Sequence, residues 1–439
     1  MPAPPYSRLL CGAAMLGALA LASPATAAGR PRISPVERPG VAQTPIEVCS
    51  FDLPLCVHAP TAVPPPAMLA ALAELEHAWR AYAALGLPAP LDDGLLGGGH
   101  AFDAYLMRAG EPRAGWDMAP AAGTHDQTSA FAVLPPPGRG QRRGCAGASD
   151  AARVLAQAIA LRLDAGVDDG SLAMASSYLA SLVSPCGVLE TVAVDDFQRA
   201  PEREIVAASP QAMDGSLLFP MFLDDRYGNG GPAAVVTGLL GVSGQRTAPG
   251  APEWATEPDL FDALLLAERD RRLEAGDVLL EFAIARAFAG SRSDGAHLSD
   301  ADRFGAMGRV RVEWSVPWAT LPRRLAPVRP IQPTGATYVW LDLAGAPSGA
   351  ELTFVADWEL PVPFYWALVK VDGEGREAGR VEVARIFGAS HAERTVVGLE
   401  GLAGVLVVGV NGGHIDRANT YDPDDAPHEP HGYTVTLVK

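Results

Sequence analysis

Thr337-Tyr-Val-Trp-Leu-Asp-Leu343 decides the C-terminal part of this chain. β-branched and aromatic side chains dominate it, and such residues favour the pleated, half-buried surface of a strand. The same composition returns in Glu351-Leu-Thr-Phe-Val-Ala356, Tyr365-Trp-Ala-Leu-Val-Lys-Val371, Val405-Leu-Val-Val-Gly-Val410 and Tyr433-Thr-Val-Thr-Leu-Val438, with turn residues between. Short strands at this spacing predict an all-β sandwich of about eight strands, placed over residues 334–439. A proline-rich stretch at 327–333 reads as the linker before it.

Upstream the hydrophobic period becomes helical. Leu69, Leu72, Leu75, Trp79 and Tyr82 lie on one face of a helix over 67–85, which Leu87-Pro-Ala-Pro90 ends. Further helices are expected over 151–163, 171–183, 216–227, 257–269 and 276–288. Ser149 or Asp150 is the expected N-cap of the first of these, and Gly166 marks its exit. Short strands are expected at 102–106 and 129–134. Residues 66–326 thus form a mainly helical domain, and the chain is an α+β multidomain protein. Residues 29–65, dense in proline, read as an extended arm.

The N-terminus has the form of an export signal. Arg8 precedes an apolar run over 9–22 and then Ser23-Pro-Ala-Thr-Ala-Ala28, which predicts cleavage after Ala27 or Ala28. The run is too short for a permanent membrane span, and no later segment suits one. The expected destination is the periplasm or the medium. Cys11 lies inside the run, leaving Cys49, Cys56, Cys145 and Cys186. An even number in an exported chain predicts disulfides, here Cys49–Cys56 and Cys145–Cys186. A zinc site built from all four thiolates is the alternative, disfavoured by their spacing and by an oxidising compartment.

A formal charge of −17 argues against a nucleic-acid partner, which needs a basic face. Motifs of chemistry are scarce. None of the nine histidines forms HExxH, the arrangement that puts two imidazoles and a general base at one zinc. His428-Glu-Pro-His431 is one residue too short and contains a helix-breaking proline. No nucleophile elbow, phosphate loop or dinucleotide fingerprint stands out, and Gly94–Gly99 reads as a flexible loop. If a non-standard hydrolytic site exists, His100 with Asp103 and His125 with Asp126 are its first candidates. Asp422, Asp424, Asp425 and Glu429 crowd one loop, a hard-oxygen set suited to Ca²⁺ or simply a solvated acidic turn.

Four strings carry a family resemblance: Leu53-Pro-Leu-Cys56-Val-His58, Phe197-Gln-x-x-Pro-Glu202, Phe219-Pro-x-Phe-Leu-Asp-Asp-Arg-Tyr-Gly228 and Trp254-x-x-Glu-Pro-Asp-Leu-Phe-Asp262. The chain resembles a myxobacterial family of exported metalloproteases. The resemblance implies a metallopeptidase-like body with a zinc-bearing helix pair, which here would fall at 151–163 and 171–183. Neither segment contains a histidine or glutamate. The resemblance therefore implies a pseudopeptidase that binds a peptide, protein or surface polymer without a confident cofactor. Two alternatives stay open: an active secreted hydrolase with a differently built site, and an adhesin-like protein working through its sandwich.

Overall fold

The computed structural model describes residues 37–107, 113–116, 126–136, 145–184, 188–206, 214–228, 231–245, 260–261, 263–264, 275–359, 362–383, 389–413 and 430–439. The leader, His125, Cys186 and the acidic loop carrying Asp422, Asp424, Asp425 and Glu429 lie outside these residues. The described residues make an α+β molecule with a β-rich C-terminal region.

The first sheet takes two of its five strands from the segment expected to be an arm. Strands β1 (Ile46–Cys49) and β2 (Leu55–Ala59) form a hairpin, and β3 (Phe102–Leu106), β4 (Arg113–Trp116) and β5 (Ala130–Leu134) complete the order β1-β2-β3-β5-β4. β2, β3 and β5 run parallel, while β1 and β4 are antiparallel edges. Helix α1 (Pro65–Ala84) provides the crossover from β2 to β3 that a parallel pair requires. One face of the sheet, with Leu55, Val57, Phe102, Ala104, Ala132 and Leu134, belongs to the main core, where α1 and α2 (Cys145–Leu163) pack. The opposite face carries His58, Asp103, Tyr105 and Phe131. Proline density hid this hairpin: its prolines sit in the flanking turns, and β2 itself is a continuous buried run.

Cys49 and Cys56 stand opposite each other across the hairpin and are disulfide-bonded. Replacing both with serine is expected to cost about 2–3 kcal/mol through lost loop restraint. Urea unfolding of the double variant against the parent measures this, and unchanged stability would show that the hairpin ladder alone holds the loop. Cys145, at the start of α2, is also disulfide-bonded.

Helix α2 begins earlier than its expected caps, so Ser149 and Asp150 lie inside its first turns. The Ser149 hydroxyl instead meets that of Ser184, 2.8 Å away at the end of helix α3 (Asp169–Val183). Asp168 caps α3, accepting from the Gly170 and Ser171 amides. Beyond these come α4 (Val188–Arg199), α5 (Leu218–Tyr227), α6 (Ala234–Ser243) and α7 (Ala275–Ala287). Of the helix expected over 257–269, residues 260–261 and 263–264 are described and helical.

The β-rich region is two packed sheets. One orders β11 (Glu377–Glu382), β10 (Phe364–Val371), β13 (Gly404–Asn411), β8 (Ala336–Asp342) and β6 (Trp314–Pro317). The other orders β12 (His391–Val396), β9 (Leu352–Trp358), β14 (Tyr433–Val438) and β7 (Arg323–Leu325). β6 and β7 precede the proline-rich stretch, so the sheets draw strands from both sides of it. Strand alternation divides β13: Val405 and Val407 enter the core between the sheets, while Leu406, Val408 and Val410 join the core of the body. The five-stranded sheet is therefore a middle layer, covered on one side by α7 and on the other by the four-stranded sheet. Tyr338 fastens the layers by donating its hydroxyl to the Ala283 carbonyl of α7.

Candidate binding sites

Two polar sites emerge, one on the first sheet and one where the body meets the sandwich. On the sheet, alternation places Asp103 and Tyr105 on the face away from the helices. The His58 ring Nε2 lies 2.8 Å from Asp103 Oδ1 and its ring stacks on Tyr105 at 4.9 Å. Arg38 reaches in from the segment before β1, donating a hydrogen bond to Asp103 Oδ2 at 2.5 Å and forming an ion pair with Asp93 at 2.8 Å. Its guanidinium carbon sits 4.7 Å from the centre of the Phe131 ring. Asp93 and Asp103 side chains are nearly sealed from solvent, at 1% and 2% exposure.

Asp103 therefore partners His58 and Arg38. His100, its neighbour in sequence, pairs with Asp92 on the surface, with the imidazole 67% exposed. Asp126 is buried, and its peptide bonds to Gly244 and Ala165. His100 and Asp103, expected as a pair, thus take separate partners, while the other expected pair cannot be placed because His125 lies outside the described residues. Of the polar residues near the acidic loop, His431 is described, and its Nδ1 is 3.0 Å from Glu359.

The junction holds a cavity of about 570 Å³ between α5, α7, the loop 294–299 and β11. Phe222 and Ala285 supply an apolar part of its wall; Asp225, Glu281, Asp294 and Glu377 face Arg226, Arg380 and His297 across it. The His297 ring is bonded at both nitrogens, Nδ1 to Asp294 at 2.9 Å and Nε2 to Glu377 at 2.7 Å. Phe288 stacks on it at 4.3 Å. Burial alone would lower the His297 pKa, but the bonds to Glu377 and Asp294 outweigh it and hold it above the ordinary value. Burial likewise opposes ionisation of Glu377, yet His297 and Arg380 bring its carboxyl down to about 2. An imidazolium with both protons committed is neither a general base nor a metal ligand.

The rest of the lining is graded in freedom. Arg380 is held by Glu377 at 2.6 Å and Glu281 at 2.5 Å. Asp225 accepts from the Ser299 amide and hydroxyl. Arg226 is 61% exposed, and its ion pair with Glu281 is long, at 3.8 Å. It is the cation in this cavity best placed to meet an incoming anion. No sequence motif announced this site, because His297 and Glu377 are 80 residues apart and sit in different layers.

Among the described residues, Glu47, Cys49 and Cys56 form the single group of three ligand atoms close enough to share an ion, and both sulfurs are in the disulfide. No helix among the described residues is long and apolar enough to cross a membrane.

No protein-family model matches the chain, and no curated protein is similar to it. Solved structures that are similar over part of its length include the following two. The pre-peptidase C-terminal domain of a collagenase from Bacillus anthracis is 12% identical, covering 29% of this chain and 96% of that one, with a TM-score of 0.19. A mitogen derived from Yersinia pseudotuberculosis is 12% identical, covering 27% of this chain and 86% of that one, with a TM-score of 0.18. At such values neither assigns a fold or a function here.

Proposed function

We propose that this is an exported, non-catalytic binding protein that takes a charged peptide segment in the cavity between its helical body and its β-sandwich. The observation that carries this reading is the cavity itself: large, charged, and with its histidine locked at both nitrogens between carboxylates. Such a site offers ion pairs and hydrogen bonds to a ligand, and its histidine has no nitrogen left to act as a base. The leader pattern and the disulfide support export. Helices α2 and α3 are the pair that the family resemblance would equip with zinc, and they carry no histidine or glutamate. That supports a metallopeptidase-like body that has lost its chemistry.

Arg226 is the residue on which recognition turns. Its guanidinium suits a ligand carboxylate, which it can meet with paired hydrogen bonds. The test is retention of the purified chain on an array of short immobilised peptides, parent against Arg226→Glu. Acidic peptides should be retained by the parent, and the charge reversal should weaken them at least about tenfold, since losing a charge-assisted contact costs roughly 1.5–3 kcal/mol. Equal retention by the variant, or cleavage of the peptides, overturns the proposal.

A further inference from the structure

The sheet-face site is a pocket that the chain's own arginine fills. Two sealed carboxylates, Asp93 and Asp103, stand with an aromatic wall of Phe131 and Tyr105. Burying two carboxylates is costly unless cations compensate them. Arg38 provides that compensation from outside the sheet: it pairs with both acids, lies against Phe131 and reaches the Tyr105 hydroxyl at 3.3 Å. A planar guanidinium is what this geometry matches, because it alone among side-chain cations offers a fork of donors and a flat face for a ring.

The lid of the pocket is the glycine-rich loop. A Cβ at Gly97 would lie 1.4 Å from Asp103 Oδ2, so only glycine lets the loop backbone close over the acid. Gly94 and Gly98 have φ of 76° and 105°, conformations that glycine adopts freely. Tyr105, Phe131 and Val133 form a small cluster separate from the two large cores. Among the described residues, Arg38 and the loop carrying Gly97 lie against this face.

We propose that Asp93, Asp103, Tyr105 and Phe131 form a guanidinium-binding pocket, occupied in cis by Arg38, that accepts an arginine-like ligand when the segment bearing Arg38 is displaced. This site is separate from the junction cavity and does not depend on the reading given to it. Arg38 then acts as an internal competitor, and access is set by how readily residues 37–45 leave the sheet.

The experiment is chemical rescue of Arg38→Ala in the full chain. Thermal unfolding is followed with ethylguanidinium or ethylammonium added at equal ionic strength, and a blocked arginine peptide is then titrated in. Ethylguanidinium is expected to raise the midpoint of the variant while leaving the parent unmoved, with apparent affinity roughly tenfold above that of ethylammonium. Binding of the arginine peptide to the variant alone would identify a polypeptide ligand; rescue confined to the small cation would identify a free guanidine. Should Arg38→Ala fold poorly, its refolding yield in the two cations gives the same comparison. Equal effects of the two cations, or rescue that persists when Asp93→Asn is added, overturn the pocket.

Discussion

Replacing Trp366 with alanine is expected to lower the stability of the sandwich by about 3–5 kcal/mol, the range for removing a large aromatic from a packed core. Trp366 is 2% exposed and stands at the centre of an aromatic group. Phe354, Phe364 and Tyr433 surround it at ring separations of 5.5, 5.9 and 5.2 Å. Gly409 faces it directly across the β10–β13 ladder, and a Cβ there would lie 2.3 Å from the indole. The indole thus lies over a glycine, filling space that no side chain of β13 occupies. Gly409→Ala should therefore cost about 1–3 kcal/mol by overpacking. In the double variant the added methyl enters the space the indole left, so the combined loss should fall short of the sum by about 1–2 kcal/mol. Trp366→Phe is the informative control. The indole nitrogen has no hydrogen-bond partner among the described residues, so phenylalanine removes a buried, unpaired donor along with some area. Urea unfolding of the four proteins measures the cycle, and strict additivity would refute direct packing of Trp366 on Gly409.

The same strand explains which parts of the fold were legible. The five strands quoted first were found because their composition is strand-like on both faces, and Phe354, Trp366, Val407 and Val435 all reach the inter-sheet core. What composition did not reveal is that β8, β10 and β13 are buried twice, by the partner sheet and by α7. A run such as Val405-Leu-Val-Val reads the same whether its second face meets helices or another molecule. The weaker strands escaped for different reasons. β11 and β12 are charged and largely exposed, as edge strands tend to be, while β6 and β7 are short and lie beside prolines.

The sites were less legible, because each is assembled from distant segments. The sequence places Asp103 beside His100, whereas in the fold it pairs with His58. His100 lies in the loop before β3, whereas His58 stands on the adjacent parallel strand, where Cys56 pairs with Asp103 and His58 with Tyr105. Only the strand register brings that imidazole to the acid. Arg38 is 65 residues from Asp103, and no local pattern links them. The glycines of 94–99 were visible, but their use as a lid depends on which side chain lies beneath.

Asp164 should make the helical body lose stability as pH rises from about 4 to about 7, and Asp164→Asn should abolish that loss. The residue follows α2 and is 2% exposed. Burial pushes its carboxyl from 3.8 up to about 7; bonds from Ser243 and the Gly166 amide oppose this, and the nearby Asp126 and Asp168 charges add to it. Asp168, half-buried at the start of α3, is raised as well by desolvation. With the folded pKa above the unfolded one, the folded state binds the proton more tightly. The stabilisation is therefore complete below the unfolded value and is lost as pH climbs to the folded value, above which the charged form remains buried. A gap of about three units is worth about 4 kcal/mol. Asparagine fits the site as the protonated acid does. Its oxygen can accept from the Gly166 amide, and its amide can donate to the Ser243 hydroxyl, which already reaches the Leu240 carbonyl at 3.2 Å. The variant should therefore exceed the parent by about 1–2 kcal/mol near pH 5 and by about 4 kcal/mol near pH 8. Urea midpoints across that range decide the matter: a difference that does not grow with pH would mean Asp164 stays ionised in the folded chain, its charge carried by Ser243 and the Gly166 amide.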